Sequence, residues 1–286
     1  MRVGIGDDAA VLRGPGGETL LFASDMLVEG VHFHLPAPPR KGQAGFVPAQ
    51  WIGWKALACN ISDVAAMGGR PLWAVVSLGL PPSTPVRCVE ALYAGLERCA
   101  RRFRMAVVGG DTVRAPQVVV DVAIVGTVPR GRVILRSGAR VGDALFVTGR
   151  LGGSYRSGRH ARFVPRLAEA QALVRRVRVR AMIDLSDGLA QDLWQVSRAS
   201  RVTLRVEADR LPVAPEAGGT RHALMDGEDF ELLFAVSRRE AARVPRRIGS
   251  CPITRIGSVV RRGAGVELVD RRGRVHPLVP TGFRHF

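Results

Sequence analysis

The stretch Ile183-Asp184-Leu185-Ser186-Asp187-Gly188-Leu189 sets two carboxylates and a hydroxyl among apolar residues. The run before it reads as a strand, and Leu189, Leu193 and Val196 after it repeat at helical spacing, so the acids fall on a strand-to-helix turn where Gly188 permits a sharp exit. Acids packed that closely repel one another unless a cation or hydrogen-bond donors compensate. Two roles fit the turn: Ser186 or Asp187 caps the helix, or the acids hold a hard metal. Gly4-Ile-Gly-Asp-Asp8, Ser24-Asp25, Asn60-Ile-Ser-Asp63 and Gly109-Gly-Asp-Thr112 repeat the theme, each placing an acid beside Gly, Ser, Thr or Asn at the edge of an apolar run. Five such turns in one chain have the composition of a magnesium and phosphate site.

With 286 residues, 47% of them hydrophobic, the chain can bury two ordinary cores, and a two-domain α/β protein is expected. No apolar run reaches the ~18 residues of a membrane span, and Met1-Arg-Val-Gly lacks the apolar stretch of a signal peptide. The expectation is a cytoplasmic protein without a membrane partner. Cys59, Cys88, Cys99 and Cys251 form no C-x-x-C pair and sit in apolar contexts, so they read as reduced thiols rather than zinc ligands or disulfides. The formal charge of +17 raises nucleic acid as a partner. The basic residues are nearly all arginine, with Lys41 and Lys55 the only lysines. They are dispersed, and the densest group, Arg175-Arg176-Val-Arg178-Val-Arg180, has no aromatic interleaving, so a solvated surface is expected and no nucleic-acid partner.

Along the chain, Ala9–Leu12 and Thr19–Phe22 flank Gly14-Pro-Gly-Gly17, a hairpin signature that brings Asp8 back towards Ser24 and Asp25. His32 follows just beyond that edge. Trp51, Trp54, Lys55, Ala58, Ile61, Val64 and Ala65 repeat at helical spacing up to Gly68-Gly69, which places Asn60 and Asp63 one turn apart, either facing one cation or forming an exposed polar stripe. Leu72–Leu80 reads as a buried strand and Val86–Phe103 as a helix carrying Tyr93. Met105–Val108 reads as a strand delivering Gly109-Gly-Asp-Thr112 at its end, with the paired glycines letting backbone approach a phosphate. Val118–Val128 is a further strand, Arg136–Asp143 a boundary, and Ala144–Thr148 the first strand of a second domain. Gly149–Ser154 is glycine-rich yet fits neither a Walker A loop nor G-x-G-x-x-G.

Taken together, Gly4-Ile-Gly-Asp-Asp8-Ala, Ser24-Asp-Met-Leu-Val-Glu-Gly-Val-His-Phe33, Trp54-Lys-Ala-Leu-Ala-Cys-Asn-Ile-Ser-Asp63, Val108-Gly-Gly-Asp-Thr112, Arg136-Ser-Gly-Ala139, Met182-Ile-Asp-Leu-Ser-Asp-Gly-Leu189, Gly227-Glu-Asp-Phe-Glu231 and Gly282-Phe-Arg-His-Phe286 resemble the thiamine-monophosphate kinase family, in order from end to end. The resemblance implies the two-domain α/β fold shared with aminoimidazole ribonucleotide synthetase. Residues 1–137 would then form an N-terminal domain that binds ATP and magnesium and dimerises into a barrel, and residues 138–286 a C-terminal domain completing the ATP and substrate site. It implies transfer of the γ-phosphoryl group of ATP to thiamine monophosphate in a homodimer. Position by position it implies magnesium ligands at Asp8, Ser24, Asp25, Asp63, Asp111, Asp184 and Asp187. ATP contacts fall on Tyr93, Gly110, Asp111, Arg136 and Ser186, and thiamine monophosphate contacts on His32, Glu228 and Phe283. The chemistry agrees: the acceptor is a phosphate oxygen already ionised at neutral pH, so no general base is required, and alignment and charge neutralisation carry catalysis.

Two departures stand out. The chain reaches Gly4-Ile-Gly-Asp-Asp8 without the Glu-Phe-containing helix that precedes the motif in the family. Gly152-Gly-Ser154 lacks the family's acid after the glycine and runs straight to Arg159-His160 and Pro165-Arg166, so a remodelled acceptor side is expected. A same-fold phosphoryl transferase with another acceptor and a non-catalytic nucleotide-binding protein are the competing readings.

Overall fold

The computed structural model describes residues 3–35 and 47–279. Two compact units divide them. The first takes the chain up to Val64, Gly69–Gly131 and Tyr155–Pro165; the second takes Ala65–Gly68, Arg132–Ser154 and the chain from Arg166 onward.

In the first unit, strands β1 (Ala10–Arg13), β2 (Thr19–Val28), β3 (Arg70–Leu80), β4 (Ala106–Arg114) and β5 (Val119–Val128) form one sheet in the order β1-β2-β5-β3-β4. The expected hairpin is present: Ala10 pairs with Phe22 and Arg13 with Thr19. Gly17, at φ 83°, makes the turn and donates its N–H to Gly14 O at 3.0 Å. Helix α1 (Ala49–Ala66) is apolar nearly all round, with Ile52, Leu57, Ile61 and Val64 fully buried. Burial of side chains that size contributes about 1.5–3 kcal/mol each. Helix α2 (Val86–Phe103) is amphipathic, burying Leu92, Leu96 and Cys99. The two helices touch backbone to backbone, since a Cβ on Gly53 would lie 1.9 Å from Leu92 O and one on Gly95 1.8 Å from Gln50 O. The Arg98 guanidinium lies 4.1 Å from the Trp51 ring centroid beside that contact.

Two readings of this unit need correction. Leu72–Leu80 is not buried on both faces: β3 alternates, with Ala74, Val76 and Leu78 buried and Trp73 and Val75 exposed at 51% and 41%. Its outward residues are apolar too, which erased the two-residue period from the sequence. Nor does Gly109-Gly-Asp-Thr112 end a strand, because it lies inside β4. The register between β3 and β4 shifts there, passing from Val107 to Gly109, and a Cβ on Gly110 would sit 1.8 Å from Val76 O. The glycines serve a β-bulge on an edge strand.

In the second unit, β6 (Ala144–Thr148), β7 (Val179–Asp184), β8 (Val202–Glu207), β9 (Leu232–Val236), β10 (Arg247–Ile248), β11 (Cys251–Arg262), β12 (Gly265–Val269) and β13 (Val275–Pro277) form a mixed sheet ordered β13-β12-β8-β11-β6-β9-β7, with β10 on β11. Only the β8–β12 pair is parallel among the described pairings of this sheet. The short helix α3 (Ser154–Ser157) starts at the end of this unit's Arg132–Ser154 stretch and runs into the Tyr155–Pro165 segment of the first, while the unit's own helices are α4 (Leu167–Arg176), α5 (Leu189–Ser200), α6 (Thr220–Met225) and α7 (Arg238–Ala241). Leu145, Val147, Ile183, Leu185, Leu193, Leu204, Leu233 and Ile256 make the core. Among the described residues no helix is long and apolar enough to cross a membrane, and none of the four cysteines is in a disulfide.

Candidate active site

The expected site residues fall on two sets of elements. In the first unit Asp8 is buried just ahead of β1, and Asp63 is half-buried in the last turns of α1. Each brings a carboxylate oxygen within 4.8 Å of the other's. Asn60, one turn before Asp63, is fully buried and donates Nδ2 to Ala56 O at 3.0 Å. The exposed polar stripe is therefore not what the helix presents. Ser24 and Asp25 follow one another on β2, so their side chains leave opposite faces of the sheet. Ser24 Oγ donates to Asp121 Oδ1 at 3.0 Å on the exposed face. Asp25 is half-buried.

Tyr93, Gly110 and Asp111 are brought together. They line a groove of about 960 Å³ between α2 and β4, with Glu97 and Arg101 on the same wall. Asp111 accepts from Thr112 N at 2.8 Å. It stands on the sheet edge opposite β1, and the ~4.8 Å spacing between neighbouring strands sets it well away from the Asp8 end of the same sheet. His32 closes a tight turn in which Val28 N donates to His32 Nδ1 at 3.0 Å, so the ring proton sits on Nε2.

In the second unit Asp184 ends β7 buried, and Ser186 and Asp187 follow half-buried on the turn into α5. Neither Ser186 nor Asp187 caps the helix: the cap position is Gly188 at φ 107°, with no side-chain cap bond. The turn is laced instead to the acidic stretch Gly227–Glu231. Leu185 N donates to Glu231 O at 2.8 Å, Phe230 N to Leu185 O at 2.8 Å and Glu228 N to Ser186 O at 2.7 Å. Gly227 permits the approach, since a Cβ there would lie 2.7 Å from Ser186 O. Glu228 and Phe230 adopt left-handed backbone at φ 62° and 49°, a cost of about 1–3 kcal/mol each that the surrounding bonds must hold.

Those bonds come from acids of the Gly227–Glu231 motif and its neighbour Asp226, to which the sequence assigned no role beyond Glu228. Asp229 Oδ2 accepts from Gly152 N at 2.7 Å, and Asp226 Oδ2 accepts from Gly153 N at 2.8 Å. The paired glycine N–H groups thus close on the chain's own carboxylates. Glu231, 2% exposed, is gripped bidentately by Arg166 at 2.7 and 2.5 Å and accepts from Thr148 Oγ1 at 2.6 Å. Burial works against the Arg166 charge, but the hydrogen bonds and charge of Glu231 outweigh it and raise the guanidinium pKa above its ordinary value. One signal was available: Glu231 is a carboxylate set directly against Leu-Leu-Phe234. Arg166 carried none. Arg136 is half-buried in this unit, with its carbonyl accepting from Ser200 Oγ at 3.1 Å. Phe283 lies outside the described residues.

The donors expected to hold a metal are carboxylate and hydroxyl oxygens, with no thiol or imidazole among them, which fits a hard cation such as Mg²⁺. The Asp8–Asp63 spacing fits a shared cation as well.

Comparison with known proteins agrees with this arrangement. Residues 6–128 match the model of the AIR synthase related protein N-terminal domain, and residues 140–270 match that of its C-terminal domain. That defines the class, a two-domain α/β protein of the AIR synthase type. The thiamine-monophosphate kinase of Rhodopirellula baltica is 38% identical over 301 residues, covering 99% of this chain and 91% of the relative. That of Bacillus subtilis is 33% identical, covering 99% and 93%. The solved structure of AaThiL complexed with AMPPCP and TMP matches with a TM-score of 0.84 at 30% identity, covering 100% of this chain and 93% of that one. The chain belongs to the thiamine-monophosphate kinase family.

Proposed function

We infer that this chain is an ATP-dependent kinase converting thiamine monophosphate to thiamine diphosphate, and we propose that it does so by direct in-line transfer of the γ-phosphoryl group. The observation that carries the reading is the chain-length likeness to AaThiL in complex with AMPPCP and TMP. In this reading Tyr93, Gly110 and Asp111 take ATP in the groove beside β4, with Arg136 and Ser186 as further contacts. Asp8, Ser24, Asp25, Asp63, Asp111, Asp184 and Asp187 supply the ligands for magnesium. Magnesium, when bound, neutralises the polyphosphate and the acceptor phosphate so that two anions can meet. The protein's own part is to hold the carboxylates in place and to orient the acceptor through His32, Glu228 and Phe283. His32 offers an Nε2–H donor, which suits a phosphate oxygen. No side chain need take a proton.

The same reading makes the protein cytoplasmic and homodimeric. Cysteines outside disulfides suit a reducing compartment. Phe22, Val125 and Trp73 lie side by side across the sheet, as do Ser24, Ala123 and Val75, with Met26 on the same outward face. Phe22, Met26, Trp73 and Val75 are 45%, 54%, 51% and 41% exposed, an apolar sheet face of the kind a second copy covers. The test is to incubate purified protein with ATP, Mg²⁺ and thiamine monophosphate. Thiamine diphosphate and ADP are expected in equal amounts; ATP consumed with thiamine monophosphate unchanged would overturn the acceptor.

A further inference from the structure

Lys55, one of the two lysines in the chain, sits inside α1 with 0% of its surface exposed. A buried ammonium is costly unless its donors are met. Lys55 Nζ donates to His32 O at 2.9 Å and lies 2.9 Å from His160 Nδ1. An ammonium has donors only, so Nδ1 of His160 accepts and that imidazole is neutral with its proton on Nε2. His160 is itself fully buried and rests against Tyr155, ring centroids 4.6 Å apart. From the preceding residue of α1, Trp54 Nε1 donates to Phe163 O at 2.7 Å. Two consecutive residues of one rigid helix therefore hold the His32 turn and the segment Tyr155–Pro165, which leaves the chain's second unit to pack in the first.

We propose that Lys55 is a positioning residue for the acceptor side of the reaction. Its ammonium ties the backbone of His32 to His160, so where the His32 imidazole stands depends on how Tyr155–Pro165 is seated. The inference rests on the reading of His32 as an acceptor contact. Lys55 is enclosed and acts through the His32 carbonyl rather than on the substrate. The turn contributes its own stiffness, with Gly30 N bonded to Phe33 O at 2.8 Å and His32 N to Val28 O at 2.9 Å, so Lys55 fixes a preformed loop as a whole.

Lys55→Met separates this role from simple packing. Methionine keeps most of the stem and removes the charge; it also takes away the buried donor that the His32 carbonyl and His160 Nδ1 accept from, so some loss of stability accompanies the variant and the split between the two KM values is the discriminating readout. Hydrogen exchange measured on the whole chain is expected to quicken about tenfold in both the His32 turn and Tyr155–Pro165, with α2 unchanged. His160→Leu is expected to quicken exchange in the His32 turn in the same way, and it covers the case in which Lys55→Met does not fold. In turnover, Lys55→Met is expected to raise the KM for thiamine monophosphate about tenfold and to leave the KM for ATP unchanged, with no added loss in the double variant. Unchanged exchange in the His32 turn in either variant overturns the proposal. So does an equal rise in both KM values accompanied by a fall in melting temperature, which makes Lys55 a packing residue. The exchange measurement needs no substrate. A parent protein that fails to turn over thiamine monophosphate therefore counts against the acceptor reading and leaves the positioning claim to be decided by exchange.

Discussion

The two glycine-flanked acid stretches, Gly109-Gly-Asp-Thr112 inside β4 and Ile183-Asp-Leu-Ser-Asp-Gly-Leu189 at the turn after β7, look alike in sequence and are built in opposite ways. Asp111 stands on an edge strand whose residues are nearly all exposed, beside an open groove. Asp184 is buried at the end of β7, a terminal strand too but one whose last four residues are buried, and its turn is bonded at three backbone points to a second acidic stretch that Arg166, Thr148, Gly152 and Gly153 hold in turn. One turn is organised before any ligand arrives. The other, among the described residues, lies on an open strand edge, the kind of edge that a ligand or a second chain can cover. Pre-organisation lowers what binding must supply, and in the proposed function the exposed groove is where ATP enters.

Arg166→Met attacks the organised turn most severely, because it leaves the Glu231 carboxylate buried without its guanidinium. A loss of ~3–5 kcal/mol in urea unfolding is expected; a loss below ~1 kcal/mol would mean the turn does not depend on that pair. Asp187→Asn changes charge at nearly constant volume on the same turn. Turnover should fall roughly a hundredfold while the urea midpoint stays at the parent value, and near-parent turnover would remove Asp187 from the metal set. Phe283→Ala is expected to raise the KM for thiamine monophosphate about tenfold, equivalent to ~1.4 kcal/mol of lost contact, with the KM for ATP nearly unchanged. Equal effects on both substrates would assign Phe283 to structure. The smallest effect on stability belongs to the exposed strand: Asp111→Asn should shift unfolding by no more than ~0.5 kcal/mol, and a larger destabilisation would show that β4 is as firmly built as β7.

What could be read from the sequence follows the same division. Patterns local in the chain were legible: the Gly14–Gly17 hairpin, α1 ending at Ala66 before Gly68-Gly69, α2 from Val86 to Phe103, and Gly188 as the hinge between β7 and α5. The open face of β3 was not, because Trp73 and Val75 are as apolar as their buried neighbours and periodicity cannot show which face a partner covers. The bulge at Gly109 was misplaced to a strand end because glycine serves a turn and a close strand approach equally well. The anchoring acids Asp226, Asp229 and Glu231 act across 65 to 83 positions of sequence on Arg166, Gly152, Gly153 and Thr148, a separation at which no local pattern forms. Lys55 and His160, 105 positions apart, were hidden for the same reason.

In the proposed mechanism the chain aligns two phosphates and neutralises their charge without lending a nucleophile of its own. ATP made chiral at the γ-phosphorus, turned over with Mg²⁺ and thiamine monophosphate, tests it at the reacting atom. Direct in-line transfer predicts inversion of configuration in the thiamine diphosphate formed; retention would show that a protein side chain carries the phosphoryl group in between, and would contradict the account.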